Sequence, residues 1–172
     1  IYINIFPMLQ FEKVTQSSAI EKISEIAKEI YHEIYDPNTP VAFVDDYLEK
    51  YQSVSAIKQQ ITIENYQYFL LIRDEIITGY LAYEQKKENL LLSKLYIIKE
   101  YRGKNIGTQV LSFINELAKS NAIEKIELEV GKDNEKAIRF YKNDGFEIID
   151  SIVNHHHDGT EVIDYIMHKT VA

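Results

Sequence analysis

The residues best suited to chemistry lie in one stretch of the sequence, from Leu90 to Phe146. In this stretch the apolar segment Leu90–Ile98 leads into the glycine-containing loop Arg102–Thr108, and Gly145 marks a second turn. A helix that starts from such a loop exposes unpaired backbone N–H groups and the positive end of its dipole. The stretch therefore predicts a site for an anionic cofactor.

The backbone of the loop is the part that would meet the anion. Successive N–H groups can surround a pyrophosphate, and glycine lets the chain come close to it. We predict cofactor contacts from the whole loop, namely Arg102, Gly103, Lys104, Asn105, Ile106, Gly107 and Thr108.

A pair of acidic residues, Asp45 and Asp46, is the candidate for binding a cation. They fall in a short predicted helix with Val44, Tyr47, Leu48 and Tyr51. One interpretation places both acids in the first helical turn, where they stabilise the dipole. The other interpretation is a rim of carboxylates and aromatic faces that binds a cationic substrate.

The run His155–His157 invites a metal-site hypothesis, which we do not adopt. The three residues lack a spacing that brings all the rings together, and no cysteine partner is adjacent to them. A turn tip is the expected location. One imidazole facing a substrate, as a base or proton shuttle, is the alternative.

Composition restricts the class of protein. The chain has 172 residues, of which 45% are hydrophobic and 27% charged, and it is predicted to be a single domain spanning residues 1–172. A net charge of −8 argues against nucleic-acid binding. There is no cysteine and no apolar run of membrane-spanning length, so a cytoplasmic protein with no membrane partner is expected. Residues 1–7 are interpreted as a leader or cloning remnant before Met8.

Hydrophobic periodicity predicts the order β, α, α, α, β, β, β, α, β, α, β, β. The first helix should begin with a capping box at Ser18–Glu21, and Ser53 and Asn134 should cap two later helices. Tyr68–Ile72 and Ile76–Glu84 should form an antiparallel hairpin, and Leu90–Ile98 and Ile126–Val130 a parallel pair. The expected fold is a mixed, mostly antiparallel sheet flanked by helices.

With these elements the chain resembles the GCN5-related N-acetyltransferase (GNAT) superfamily over nearly its whole length. The most specific motif runs from Asn134 to Phe146, with Ala137, Tyr141 and Gly145 at matching positions. The loop fits through Arg102 and Gly107, whereas Asn105 replaces a glycine of the family pattern. Asparagine tolerates a positive φ, so we expect the turn to form.

The resemblance implies roles for individual residues. Backbone groups of Leu95, Tyr96 and Ile97 would pair with the pantetheine arm of acetyl-CoA, on a strand that splays from its parallel neighbour. Asn134 would bond the cofactor, and Tyr141 would protonate the departing thiolate as a neutral amine attacks the thioester. No metal is implied.

The segment Asp36–Asp46, the strand Tyr80–Tyr83 after Gly79 and the run Asp164–Lys169 resemble the bacterial spermidine/spermine N-acetyltransferases within the superfamily. This resemblance implies a small-molecule polyamine substrate and a homodimer. Asp45 and Asp46 would then bind the amine, and Glu84 is a candidate base with a solvent-exposed structural role as the alternative. Other acceptors, such as an aminoglycoside, an amino acid or a protein N-terminus, stay open, as does a non-catalytic acyl-CoA-binding module.

Overall fold

The predicted order of strands and helices is confirmed in the computed structural model, which describes residues 8–155 and 159–171. Residues 1–7, the interpreted leader, lie outside the described residues. The elements are β1 (Gln10–Lys13), α1 (Ser17–Tyr35), α2 (Val41–Gln52), α3 (Val54–Thr62), β2 (Tyr66–Arg73), β3 (Ile76–Gln85), β4 (Asn89–Ile97), a 3₁₀ turn (Lys99–Tyr101), α4 (Ile106–Ser120), β5 (Lys125–Gly131), α5 (Glu135–Asn143), β6 (Glu147–His155) and β7 (Glu161–Thr170).

The fold is the expected mixed α/β arrangement. Seven strands hydrogen-bond in the order β1-β2-β3-β4-β5-β7-β6 and are mostly antiparallel, flanked by helices. The parallel pair is β4 with β5, in a register that sets Asn89–Leu91 beside Lys125–Glu127. A parallel pair needs a crossover connection, and α4 supplies it.

Residue contacts divide the chain into two units. The first unit contains the described residues up to Glu84 and the segment Lys94–Val110. The second contains Gln85–Ser93 and the described residues from Leu111 onward. The prediction of a single domain stays a prediction.

The core of the first unit forms around the apolar face of α1. Ile23, Ala27 and Ile30 recur at helical spacing and are almost completely buried. They pack in one cluster with residues from α2, α3, β2 and β3, including Val44, Leu48, Ile57, Tyr68 and Tyr80. Burying each of these large side chains stabilises the fold by about 1.5–3 kcal/mol before entropy costs.

The β2–β3 hairpin contains two local irregularities. Its turn uses Asp74 and Glu75, both at positive φ (51° and 64°), which is the geometry that matches strand twist in a two-residue hairpin. The register then shifts at Leu71/Ile72, so Thr78 has no partner residue across the hairpin. The Thr78 hydroxyl donates to the Leu71 carbonyl at 3.0 Å, and the Thr78 carbonyl accepts from the Ile98 N–H at 2.9 Å.

In the second unit, β5 alternates as predicted: Ile126, Leu128 and Val130 are buried. Strand β7 pairs antiparallel with β5, in a register that runs from Lys125 opposite Thr170 to Gly131 opposite Asp164. Strand β6 pairs antiparallel with β7. Ile138 of α5, Phe146 and Met167 are also buried in this unit.

Two local predictions in the first unit are wrong. Helix α1 begins at Ser17 with Gln16 as its N-cap and no side-chain cap, so Ser18 and Glu21 do not form a capping box. Helix α2 begins at Val41, directly after Pro40, which leaves Asp45 and Asp46 beyond the first turn. A helix rarely extends past a proline toward its N-terminus, because the proline ring clashes with the preceding turn and proline lacks an N–H group. Helix α2 therefore begins directly after this proline.

Candidate active site

The Arg102–Thr108 loop forms the turn that was expected despite its missing glycine. Gly103 and Asn105 both adopt left-handed φ angles, 71° and 64°, which asparagine tolerates better than most residues. Helix α4 starts at Ile106, and the Gln109 N–H donates to the Asn105 carbonyl at 3.2 Å. The N–H groups of Ile106, Gly107 and Thr108 precede this first helical bond and have no intrahelical acceptor.

The Arg102 side chain holds the loop to the rest of the first unit. Its Nε donates to the Ile97 carbonyl at 2.9 Å, and its two terminal nitrogens donate to the Glu33 carboxylate at 2.8 and 2.7 Å. This hydrogen bonding lowers the pKa of Glu33. The Arg102 backbone N–H donates to the Lys99 carbonyl. Arg102 therefore ties α1, β4 and the loop together, and its side chain is engaged by protein.

The end of β4 presents two different edges. The Tyr96 carbonyl faces β3, because a Cβ on Gly79 would lie 2.2 Å from that oxygen. Successive backbone groups of a strand alternate in direction, so the N–H groups of Leu95 and Ile97 point away from β3. The roles of Leu95, Tyr96 and Ile97 in binding the pantetheine arm all stay predictions.

The side chain of Tyr96 belongs to a chain of tyrosine rings in the first unit. Its ring lies 4.9 Å from that of Tyr31 and 5.7 Å from that of Tyr80. Burial raises the pKa of each of these three phenols well above the usual value. They therefore keep their protons at neutral pH.

Helix α5 carries the most specific sequence motif and is capped at both ends. The Asn134 side-chain oxygen accepts from the Ala137 N–H at 3.1 Å, as predicted for an N-cap. At the other end Gly145 takes a left-handed φ of 97°. The Gly145 N–H donates to the Lys142 carbonyl and the Phe146 N–H to the Tyr141 carbonyl, which is the pair of bonds that defines a Schellman motif.

The Schellman motif gives Tyr141, Gly145 and Phe146 a shared structural role at the end of α5. The rings of Tyr141 and Phe146 meet edge to face with centroids 5.7 Å apart, a contact that often accompanies a Schellman motif. Desolvation raises the pKa of Tyr141 to about 12. The phenol is therefore a hydrogen-bond donor throughout the neutral range.

The acidic residues predicted to bind a cation lie on the surface of the first unit. Both Asp45 and Asp46 are exposed on α2, and Glu84 is half-buried near the end of β3, opposite Tyr66. The two ring nitrogens of His32 lie between carboxylates: Nδ1 is 2.9 Å from Asp36 Oδ1 and Nε2 is 3.0 Å from Asp45 Oδ1. His32 thus joins α1 to α2 beside the candidate cation site.

Partly exposed aromatic faces lie on the same helix as the acids. Tyr47 and Tyr51 of α2 are 37% and 38% exposed, and their ring centroids are 4.8 Å apart. The Lys94 ammonium already lies 5.9 Å from the Tyr47 ring centroid. A surface that attracts an internal ammonium group is chemically suited to an alkylammonium ligand. An open cavity of about 380 Å³ near α1 and α2 is lined by residues that include Lys28, Asp45, Asp46 and Glu49.

The histidine run is described only at its first residue. His155 ends β6, where its Nδ1 lies 3.7 Å from Glu161, and His156 and His157 lie outside the described residues. Across residues 8–155 and 159–171, no group of three or more potential metal ligands is placed to hold an ion. In the same ranges no helix is long and apolar enough to cross a membrane.

Three contacts at the candidate site had no signal in the sequence. Glu33 binds Arg102 across 69 positions, and Arg73 donates to the Lys104 carbonyl at 2.9 Å across 31 positions. The third contact is that of His32 with Asp45. Each contact joins separate elements of the first unit, so periodicity and local motifs could not reveal it.

Comparisons with curated proteins place the chain among acetyltransferases. It is 39% identical over 66 residues to the uncharacterized N-acetyltransferase YobR of Bacillus subtilis, covering 38% of this chain and 25% of YobR. It is 32% identical over 77 residues to N-alpha-acetyltransferase 30 of Schizosaccharomyces pombe, covering 45% of this chain and 51% of that protein. The matches thus span between a quarter and about half of these relatives.

Solved structures share the fold at low identity. The PaiA N-acetyltransferase of Thermoplasma acidophilum, in complex with coenzyme A, aligns with a TM-score of 0.77 and 19% identity over 95% of this chain and 99% of that one. The ribosomal-protein-S18-alanine N-acetyltransferase of Escherichia coli aligns with a TM-score of 0.69 and 17% identity over 96% and 95%. The Acetyltransferase (GNAT) family model matches residues 23–146, and the chain therefore belongs to that family.

Proposed function

We propose that this protein transfers the acetyl group of acetyl-CoA to a primary amine, and that the acceptor is a polyamine such as spermidine or spermine. Membership of the GNAT family supports acetyl transfer from acetyl-CoA. A solved neighbour in complex with coenzyme A has the same fold. The acceptor class is argued from the residues of this chain.

The fit to acetyl-CoA rests on the Arg102–Thr108 loop and the edge of β4. The N–H groups of Ile106, Gly107 and Thr108 at the start of α4 suit the pyrophosphate, because they lack helical acceptors and lie at the positive end of the dipole. The backbone of Leu95 and Ile97 would hold the pantetheine arm, as a neighbouring strand would. Asn134, exposed at the start of α5, is a further predicted cofactor contact.

Acyl transfer requires a group that stabilises the departing thiolate, and we assign Tyr141 to this task. A phenol with a pKa of about 12 keeps its proton at neutral pH. It is a much weaker acid than an alkyl thiol, whose pKa is about 8.5. Tyr141 would therefore act mainly by donating a hydrogen bond to the thiolate.

The attacking amine must first lose a proton, since an alkylammonium group has a pKa of about 10.4. Glu84 is our candidate for the base. Its half-buried position on β3 keeps the carboxylate partly accessible. Transfer through a chain of water molecules is the alternative route for this proton.

The acceptor assignment rests on one observation: carboxylates and partly exposed tyrosine rings occur together on α2. Asp45 and Asp46 offer charge, while Tyr47 and Tyr51 offer aromatic faces, and all four side chains are exposed. Extended polycations have several ammonium groups and apolar linkers between them, and their ammonium groups would contact carboxylates and aromatic rings of this helix.

A peptide α-amine is the second candidate acceptor. It is favoured by the match to a relative named N-alpha-acetyltransferase 30, although the match covers 51% of that relative. The net charge of −8 does not separate the two candidates, because it suits any cationic acceptor.

An acceptor panel separates these candidates. The protein would be incubated with acetyl-CoA and either spermidine, spermine, an aminoglycoside, an amino acid or a short peptide with a free N-terminus, and products would be identified by mass. We expect preferential acetylation of the polyamines. Preferential acetylation of the peptide would replace the polyamine assignment with the second candidate.

A further inference from the structure

A cation is buried beneath the Arg102–Thr108 loop. Arg73, the last residue of β2, is 8% exposed, and its Nη1 donates to the Lys104 carbonyl at 2.9 Å. Its Nε and Nη2 atoms are fully buried and, among the residues that the structure describes, have no hydrogen-bond partner. Arg73 therefore has one satisfied contact, and that contact is to the loop.

Such a side chain is costly to bury. A guanidinium group stays charged at all physiological pH values and carries five N–H donors. Burying an uncompensated charge opposes folding, so buried arginines are usually paired with an anion. In the described part of the chain, Arg73 has no ion pair with a carboxylate, although Asp74 and Glu75 follow it in sequence. A ligand anion would supply the missing compensation.

The position of Arg73 connects this charge to the loop geometry. Lys104 lies between Gly103 and Asn105, two residues of the loop that adopt left-handed φ angles. Fixing the Lys104 carbonyl fixes the orientation of the peptide group that joins Lys104 to Asn105. The free N–H groups at the start of α4 follow immediately, so the loop and the buried charge favour an anion at the same place.

We propose that Arg73 is the positioning residue of the phosphate-binding loop, and that its buried charge favours binding of the phosphorylated half of coenzyme A. This inference rests on the proposed function. Arg73 acts through the Lys104 carbonyl and through its electric field, because Nη1 donates to that carbonyl and Nε and Nη2 are fully buried. The expected ligand group is a phosphate, and the pantetheine arm should be insensitive to this residue.

The test is calorimetric binding of two probes, coenzyme A and phosphate-free pantetheine, at low and high salt. Arg73→Gln removes the charge, and Arg73→Lys keeps the charge without the planar guanidinium. Lys58→Gln is the matched control, because it removes one exposed positive charge from α3 of the same unit. Melting curves establish that each variant is folded.

We expect Arg73→Gln to weaken coenzyme A binding about tenfold at low salt, with a shallower salt dependence than the unaltered protein. Pantetheine binding should not change, and Lys58→Gln should bind both probes normally. Arg73→Lys should bind coenzyme A more tightly than Arg73→Gln does. Equal loss for both probes, or coenzyme A affinity within about twofold of the unaltered protein in folded Arg73→Gln, would overturn the inference.

If Arg73→Gln does not fold, Arg73→Met, which also removes the charge, takes its place. Weaker coenzyme A binding with unchanged pantetheine binding is then the supporting result, and unaltered coenzyme A binding overturns the inference. Failure of the unaltered protein to bind coenzyme A would refute the proposed function itself, which separates the two failures.

Discussion

The Tyr141 ring lies edge-on to the Phe146 ring at 5.7 Å, and the Phe146 N–H donates to the Tyr141 carbonyl at 3.1 Å. The two contacts form because Gly145, between them in the turn, adopts a φ of 97°. The side chain proposed to stabilise the thiolate is therefore positioned by the turn that ends its own helix. The residues at the end of the Asn134–Phe146 motif therefore have a structural role, the formation of this turn, that does not depend on any ligand.

Replacing Tyr141 by Phe should lower kcat about 100-fold, because the hydroxyl is removed while the ring that packs on Phe146 is kept. The dissociation constant for acetyl-CoA and the melting temperature should stay close to those of the unaltered protein. Steady-state kinetics and calorimetry measure these quantities. Tyr165→Phe on β7 is a matched control and should have unaltered kcat. An unaltered kcat in Tyr141→Phe would remove Tyr141 from the proposed role.

Replacing Gly145 by Ala should destabilise the protein by about 1–2 kcal/mol, because a Cβ is strained at a left-handed φ. A Cβ at this position would meet only the Lys169 side chain, at 3.6 Å, so strain outweighs crowding. Gly131→Ala is the control: a Cβ there would meet Asp164 Oδ1 at 3.7 Å, an ordinary contact. Denaturant unfolding measures both variants, and equal stabilities would contradict the assignment of the Schellman turn.

The protein should lose stability in alkali as its buried phenols ionise. Burial raises the pKa in the folded state for Tyr31, Tyr68, Tyr80, Tyr96 and Tyr141. A raised folded pKa contributes stability below the unfolded pKa of about 10 and loses it as the pH rises through the folded value. For Tyr141 this loss falls between about pH 10 and the folded pKa of about 12.

Near-ultraviolet absorbance of tyrosinate measures this ionisation. In the folded protein part of the tyrosine signal should appear at higher pH than in the same protein in guanidinium chloride. The free energy of unfolding should fall over the same pH interval. Coincident titration curves for the folded and unfolded protein would show that the phenols are not buried as described.

Replacing Asp45 and Asp46 together by Asn should raise KM for spermidine roughly three- to tenfold and leave kcat nearly unchanged, since both carboxylates would contact a charged part of the substrate. The double variant Glu21→Gln with Glu29→Gln, which removes two exposed carboxylates from α1, is the control for net charge. Asp45 also contacts His32, so melting curves must accompany the kinetics. An unaltered KM in a folded double variant would exclude α2 as the amine site.

Local sequence patterns predicted much of this fold, because the type of residue at a helix end largely decides whether a cap or a left-handed turn forms there. The caps at Ser53 and Asn134 and the left-handed Gly145 follow from residue type, and all three formed. Ser18 and Glu21 have the spacing of a capping box but lie inside α1, because the helix begins earlier at Ser17. Spacing alone does not fix the residue at which a helix starts.

The candidate site was predictable where it consists of local backbone and not where it depends on distant side chains. Asn105 adopts the left-handed φ that its residue type allows. The partners that hold the loop, Glu33 and Arg73, come from α1 and β2 and are set by tertiary packing. Nothing in the sequence indicated which of the lysine and arginine side chains would be buried.

The most direct test of the central claim is the release of free thiol from acetyl-CoA by the purified protein in the presence of spermidine, with the product identified by mass. We predict one thiol released for each acetyl group gained by spermidine, and release well above the rate without amine. No amine-dependent thiol release with any primary amine of the acceptor panel would contradict the account.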